Sequence, residues 1–370
     1  MKARAGDVYT VFNNYLGRYT ACQVAYIAPP DAVSKQPGAV ILSLDWVGNT
    51  PLTKEELPNL RPLYKDFMYW QRDLHLLRVP IEVPQQYTWV GTLPSFTDKP
   101  CRSYGGWSDG YDVYRQIKWQ AIPEKRRQAF KKAIESDEQT EIGGVHVKIN
   151  SHRVMDQYLP FSSALELRVL PCLSTLVCEQ WHPDLIEFLR ENPFIDELTL
   201  LHHGQKTLDL RGTNVRKLML DMTGLEELWV SDCTEYLLFQ TEDPDVCTIH
   251  APESGKYLTL DFTGQYRPHP ELVNLRGLYG AKLKVFDLSL LEKIHPHLRE
   301  LRLWGAPGTL VNFKTVSKLP ELARFSCFDL FGFGADEIPT PEQMPNLSWF
   351  WMTSLPEDAA KAIKRLWKGR

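Results

Sequence analysis

The ten histidines and seven cysteines are the side chains of this 370-residue sequence with metal-ligating or nucleophilic chemistry to offer. The histidines cluster twice, at His202-His203 and at His295-Pro296-His297. Neighbours on a strand point to opposite faces, so His202 and His203 are not expected to share one ion. The cysteines (22, 101, 172, 178, 233, 247 and 327) include no C-x-x-C pair, which argues against a zinc ribbon. Cys233 and Cys247 lie in apolar surroundings and read as structural, and Asp243-Pro244-Asp245 reads as a turn rather than a calcium loop. No G-x-S-x-G nucleophile elbow, Walker-A loop, H-E-x-x-H pair or dinucleotide fingerprint is expected. The expectation is no catalytic residues, no metal and no cofactor. What remains is recognition chemistry, carried by the eleven tryptophans and their neighbouring arginines. Arg302 and Trp304, Arg324 and Phe328, and Trp349 and Trp351 each recur at even spacing, which on strands places them on one face. Trp and Arg are the residue types most enriched at binding hot spots. Trp229 is the next candidate.

The elements that must position these residues differ between the two ends of the chain. Residues 1–95 read as short strands bounded by Gly, Pro, Asn and Asp: Val8–Phe12, Tyr19–Ile27, Ala39–Trp46 and Tyr87–Gly91. That pattern predicts a small, mostly β, barrel-like α+β domain. Residues 96–150 read as a linker followed by a helix from Glu124 to Glu135, with a break at Gly143-Gly144. Lys125-Arg126-Arg127 and Lys131-Lys132 form a basic face on that helix, diluted by Glu124, Glu135, Asp137 and Glu138, and read as solvated. The formal charge is +3 before residue 150 and −7 after it, so neither half carries the basic field of a general nucleic-acid binder.

Residues 151–370 repeat themselves. Ile195-Asp-Glu-Leu198-Thr-Leu200, Val215-Arg-Lys-Leu218-Met-Leu220, Leu225-Glu-Glu-Leu228-Trp-Val230 and Leu298-Arg-Glu-Leu301-Arg-Leu303 all fit L-x-x-L-x-L. With the second apolar position as marker, one series runs 176, 198, 218, 238, 258, 278, 301, 325 and 350. Its steps fall inside the range of about 20–29 residues typical of leucine-rich repeats. A second apolar beat lies midway, at Leu208-Asp-Leu210, Leu228-Trp-Val230 and Val246–Ile249, and either series could be the concave one. Pro183–Glu191 reads as a capping helix at one end. At the other, Ser354-Leu-Pro-Glu357 reads as a capping box opening a helix from Asp358 to Lys368. This half resembles a leucine-rich repeat protein. The resemblance implies an α/β fold, a solenoid with a parallel sheet.

In the N-terminal segment, Gly6-Asp7-Val8-Tyr9, then Gly17-Arg18-Tyr19 with Gln23-Val24, and later Tyr87-Thr-Trp89-Val90-Gly91, are similar to small bacterial immunity proteins of polymorphic-toxin gene clusters. The resemblance implies a non-enzymatic protein that neutralises a cognate toxin by binding it. The partner-binding residues are expected to be Arg302, Trp304, Arg324, Phe328, Trp349, Trp351 and Trp229, with a protein partner and neither nucleic acid nor membrane. A different target for the repeats, or an enzyme with its site in residues 1–150 around Asp7, Asp45 or His75, are the alternatives. The stretch Met1–Asp7 has no apolar run, no segment reaches the roughly 20 apolar residues of a membrane span, and the cysteine count is odd. These features predict reduced thiols and a cytoplasmic protein.

Overall fold

Val8-Tyr9-Thr10-Val11 forms the middle of β1 (Asp7–Asn13), which pairs antiparallel with β2 (Arg18–Ala28). Asn13 turns the chain between them: its buried side chain accepts from the amides of Tyr15 (2.9 Å) and Leu16 (3.1 Å), and Gly17 takes the positive φ the turn needs. β3 (Gly38–Gly48) adds to β2. A two-residue pair, β4 (Tyr64–Lys65) and β5 (Asp73–Leu74), precedes β6 (Leu76–Pro80) and β7 (Thr88–Thr92). The main sheet has the order β6-β3-β2-β1-β7. It stays open where a barrel-like closure is expected. The outer edge of β6 is already taken, because the Arg78 amide donates to Ser103 O and the Gly105 amide donates to Arg78 O. β6 is therefore not available to β7.

Residues 111–121, expected as loop, are helical. α1 (Tyr111–Ala121) and α2 (Glu124–Ile134) bury Val113, Tyr114, Trp119, Phe130 and Ala133, with Trp119 edge-on to Phe130 at 5.4 Å. Asn13 Nδ2 donates to Gly110 O (2.8 Å), which ties the start of α1 to β1, and Gln116 accepts from the Asp66 amide (2.8 Å), which ties the helix to the segment after β4. The chain accordingly divides into Met1–Ser136 and Asp137–Arg370, so the 96–150 segment is split between units rather than standing as a linker of its own. The computed structural model describes residues 1–241, 247–252, 258–355 and 357–367.

The second unit begins with a hairpin, β8 (Gln139–Ile142) and β9 (Val145–Lys148), turned by Gly143 and Gly144, both at positive φ. β10 (Arg153–Met155) and β11 (Thr175–Cys178) start a parallel sheet, and α3 (Leu185–Glu191) lies where the first cap is expected. Strands then alternate between two sheets: β12 (Glu197–Leu200), β13 (Thr207–Asp209), β14 (Lys217–Leu220), β15 (Glu227–Trp229), β16 (Tyr236–Phe239), β17 (Thr248–His250) and β18 (Leu258–Thr263). β19 (Leu275–Asp287), α4 (Ser289–Ile294), β20 (Glu300–Val311), β21 (Arg324–Phe331), β22 (Trp349–Met352) and α5 (Glu357–Leu366) complete the chain. Ten strands form the larger parallel sheet, in the order β10-β11-β12-β14-β16-β18-β19-β20-β21-β22. The midway beat makes a separate parallel sheet of its own, β13-β15-β17. The fold is thus mixed α/β, with an antiparallel sheet followed by a ten-stranded parallel one. Among the described residues no helix is long and apolar enough to cross a membrane.

The register aligns Leu176, Leu198, Leu218, Leu237, Leu260, Leu278, Leu301, Phe325 and Phe350 in one row. Two markers differ from the sequence series. Leu237 replaces Leu238, because Phe239 must be buried and only residues two apart share a face. Leu260 replaces Leu258, although Leu258, Leu260 and Phe262 all point inward. The row up to Phe325 is fully buried, and Phe350 is partly covered by Trp367, whose ring stacks on it at 4.9 Å. The expected capping box includes Pro356, and the expected helix reaches Lys368. Both residues lie outside the described ones, as do Asp243, Pro244, Asp245 and Val246. Ser354 donates its hydroxyl to Asp329.

This register is open to a direct check. Leu218→Ala, Leu237→Ala or Leu301→Ala should each cost roughly 2–5 kcal/mol, from lost burial plus a cavity. Leu238→Ala, on the half-exposed face, should cost about 1 kcal/mol or less. Urea unfolding followed by circular dichroism measures both, and equal losses at 237 and 238 would contradict the pairing.

Candidate functional site

The period of two along each strand separates the buried row from two outward rows. One runs Gly277–Glu300–Arg324–Trp349 and the next Tyr279–Arg302–Ser326–Trp351, with Trp304 opposite Phe328 beyond them. Six of the seven residues expected to bind a partner therefore meet on one face of β20, β21 and β22: Arg302, Trp304, Arg324, Phe328, Trp349 and Trp351. With Glu300 and Ser326 they line a groove of about 530 Å³. Trp304, Trp349 and Trp351 are 48%, 55% and 50% exposed, high values for the largest side chain. None of the three is tucked beneath the C-terminal helix. That region supplies Trp367 instead, which covers Phe350 on the opposite side of the strand and donates to Pro339 O (3.1 Å).

Trp304 and Phe328 stack at 4.6 Å with planes 19° apart, and Trp349 and Trp351 lie near-parallel at 6.3 Å. The rings hold one another, so little side-chain freedom is left to lose on binding. Beside them is a polar network that the sequence alone does not single out. Arg302 donates through Nε (2.8 Å) and Nη2 (2.6 Å) to Glu300 Oε1, and Tyr279 donates its hydroxyl to Glu300 Oε2 (2.9 Å). The Arg302 guanidinium also sits 4.7 Å from the Tyr279 ring centre. Burial, with Glu300 close by, pushes the Tyr279 hydroxyl up to about 12. Partial burial works to lower Arg302, but bonding to Glu300 outweighs it and the group is held above its ordinary value. Farther along the face, Tyr236 donates to Asp261, whose carboxyl is raised by burial even though that bond opposes the shift. Tyr279 and Glu300 are visible in the sequence only as outward positions; their bonding depends on the register of β19 against β20.

Trp229, the seventh residue, is not brought to this face. It lies on the smaller sheet, stacked on His250 at 3.7 Å with the Arg211 guanidinium 4.1 Å from its ring centre. That sandwich is closed by Asp209, which bonds Arg211 at 2.9 and 2.8 Å.

The residues with potential chemistry are dispersed. His203 is buried and bonds the Asp221 carbonyl (2.7 Å), while His202 is exposed near the Asp221 carboxylate (3.6 Å). His295 is buried, whereas His297 is exposed and bonds Glu321 at 2.6 Å. In the first unit, Asp7 accepts from Tyr9 (3.1 Å), Trp89 (3.1 Å) and the Arg4 amide (2.8 Å). His75 accepts from the buried Lys65 (2.7 Å), which also pairs with Asp112 (2.7 Å). Burial holds Lys65 below its ordinary value, but the side chain is closed to a substrate. Asp45 lines a different, polar cleft with Asp66, Arg72 and Arg127.

Two further arrangements stand outside the expectations drawn from the sequence. Against the expectation that no such motif occurs, Gly106-Trp107-Ser108-Asp109-Gly110 has the G-x-S-x-G spacing of a nucleophile elbow, but no strand leads into it, and positive φ falls on Asp109 and Gly110 rather than on Ser108. Asp156, Cys178 and His182 are buried together, with ligand-type atoms within 4.8 Å of one another. The Asp156 carboxylate already accepts from the amides of Glu179 (2.9 Å) and Gln180 (3.3 Å) and bonds His182 (3.2 Å), so it staples the turn after β11. Burial first, then Asp156, raise the Cys178 thiol, which favours the protonated form over a metal-binding thiolate.

All seven cysteines are free, and burial pushes Cys172 up to about 11 and Cys22, Cys247 and Cys327 up to about 12. A thiol reagent added to the native protein at pH 8 should label Cys101 and Cys233 first, since only these two are partly exposed. Rapid modification of all seven would show that the core is open. Acid should also act through His295, which burial lowers to about 4 from 6.5. The unfolded chain then binds the extra proton between these values, so stability present above about pH 6.5 falls as pH drops toward 4. Urea unfolding at pH 7 and pH 5 should show that loss, and His295→Leu should flatten it; an unchanged slope would remove His295 as its source.

Comparison of the sequence with protein-family models gives no match, and comparison with curated proteins gives none either.

Proposed function

We propose that this chain is a non-enzymatic binding protein of the bacterial immunity type, acting in the cytoplasm. Its second unit is read as a leucine-rich repeat solenoid, and it neutralises a cognate toxin by holding it on the outward face of β20, β21 and β22. The observation that carries the reading is the groove itself, with three tryptophans each about half exposed beside an arginine pair on a hydrogen-bonded sheet. Solvent-facing aromatics grouped in this way mark interaction sites. A sheet face presents them rigidly, which lowers the entropic cost of association. The in-register row of apolar residues at steps of about twenty supports the solenoid reading. The similarity of residues 5–95 to immunity proteins supports the choice of a toxin as partner.

The test is to look for a toxin gene next to the gene for this chain, co-express its product with the chain, and capture that product on the full chain. Growth should be rescued and a complex recovered. Trp351→Ala and Trp304→Ala should each cost over about 2 kcal/mol of binding, roughly thirtyfold in affinity, by calorimetry and with melting unchanged. Undiminished binding by both variants would move recognition away from this face.

A further inference from the structure

The groove contains three charged side chains, and they are not equivalent. Glu300 is spent: one oxygen takes both Arg302 bonds and the other takes the Tyr279 hydroxyl. Arg302 is spent on Glu300 in turn and lies against the Tyr279 ring. Arg324 is different. It stands exposed between Glu300 and Trp349 in the outer row, and among the described residues its guanidinium has neither an ion pair nor a hydrogen bond. Among the described residues no acidic one other than Glu300 lines the groove. The free charge of this face is therefore positive and sits beside its tryptophans.

A wholly apolar partner covering Trp349 and Trp351 would strip water from Arg324 and leave that cation unpaired, which opposes binding strongly. A partner bringing a carboxylate would instead form a charge-assisted, two-pronged contact with the guanidinium. A partner bringing Lys or Arg would meet repulsion with no spare anion to offset it.

Building on the binding reading above, we infer that the occupant of this groove is a protein segment carrying an acidic side chain next to an apolar or aromatic one. The carboxylate meets Arg324, and the apolar group lies against Trp349 and Trp351. Arg324 and Trp349 are register partners on adjacent strands, about 5 Å apart. That spacing requires the two features to be near neighbours in the occupant. The Trp304–Phe328 stack takes a second apolar contact at the far end of the groove.

Peptide selection tests this whether or not the natural partner has been captured. A random dodecapeptide library displayed on phage is selected on the immobilised full chain, and enriched sequences are resynthesised with a fluorescent label for anisotropy titration. Enrichment of Asp or Glu within two positions of an aromatic or large aliphatic residue is expected. These peptides should bind Arg324→Glu at least tenfold more weakly than the parent, bind Arg324→Lys with an affinity between the two because the charge is kept and the two-pronged contact is lost, and lose affinity for Trp351→Ala. Each variant is first shown to melt like the parent. Failure to enrich, enrichment without acidic residues, or equal binding to Arg324→Glu overturns the inference. If Trp351→Ala and Trp304→Ala lose binding while Arg324→Glu does not, the face stands as a docking site and the acidic partner falls. If acidic peptides bind all three variants equally, the docking face falls with it. Sedimentation of the free chain as a dimer that Trp351→Ala dissociates would make a second copy the occupant and also overturn it.

Discussion

The inward row of the parallel ladder is the constraint on which the second unit depends. A strand of three or four residues has too few hydrogen bonds and too little apolar surface to be stable alone. Each is held because its central leucine or phenylalanine is buried between the same positions of its neighbours, from Leu176 through Leu301 to Phe325. Once that row is buried, the period of two leaves no choice about the remaining side chains. Residues on either side of the row face outward, aligned strand by strand at about 4.8 Å. The groove of aromatics and arginines is a direct consequence of the core, not a separate construction.

This dependence explains what can be read from the sequence. Arg302, Trp304, Arg324, Phe328, Trp349 and Trp351 are accessible because only alternation and repeat phase are needed to place them. Trp229 obeys the same alternation but belongs to the other beat of the repeat, and alternation alone does not say which beat joins which sheet. The Leu237-Leu238 doublet cannot be resolved locally, since either leucine satisfies the pattern and the choice is made by Phe239. α1 is hidden behind a Gly-, Ser- and Asp-rich approach, Gly105 to Gly110, although Val113, Tyr114 and Trp119 supply its buried side. Long-range pairings such as Asp156 with His182, or Tyr279 with Glu300, depend on register and leave no local trace.

The polar groups divide by how completely they are satisfied. Asp156 is enclosed by amides and an imidazole, Lys65 is held between Asp112 and His75, and Asp209 closes the Arg211–Trp229 sandwich. These groups are buried or paired in ways that stabilise turns and strand ends. On the aromatic face the pairing is incomplete: Glu300 and Arg302 cancel, and Arg324 remains exposed. Satisfied networks hold a structure together, whereas an unsatisfied cation beside exposed tryptophans is chemistry directed outward.

The central claim is that the outward face of β20, β21 and β22 is where a partner sits. Hydroxyl-radical footprinting of the full chain, free and saturated with its captured partner, tests it at residue level, because tryptophan oxidation reports side-chain exposure directly. The account predicts strong protection of Trp304, Trp349 and Trp351, with Trp229 unchanged. Unaltered oxidation of those three, with protection appearing on the first unit or around Trp229, would contradict it.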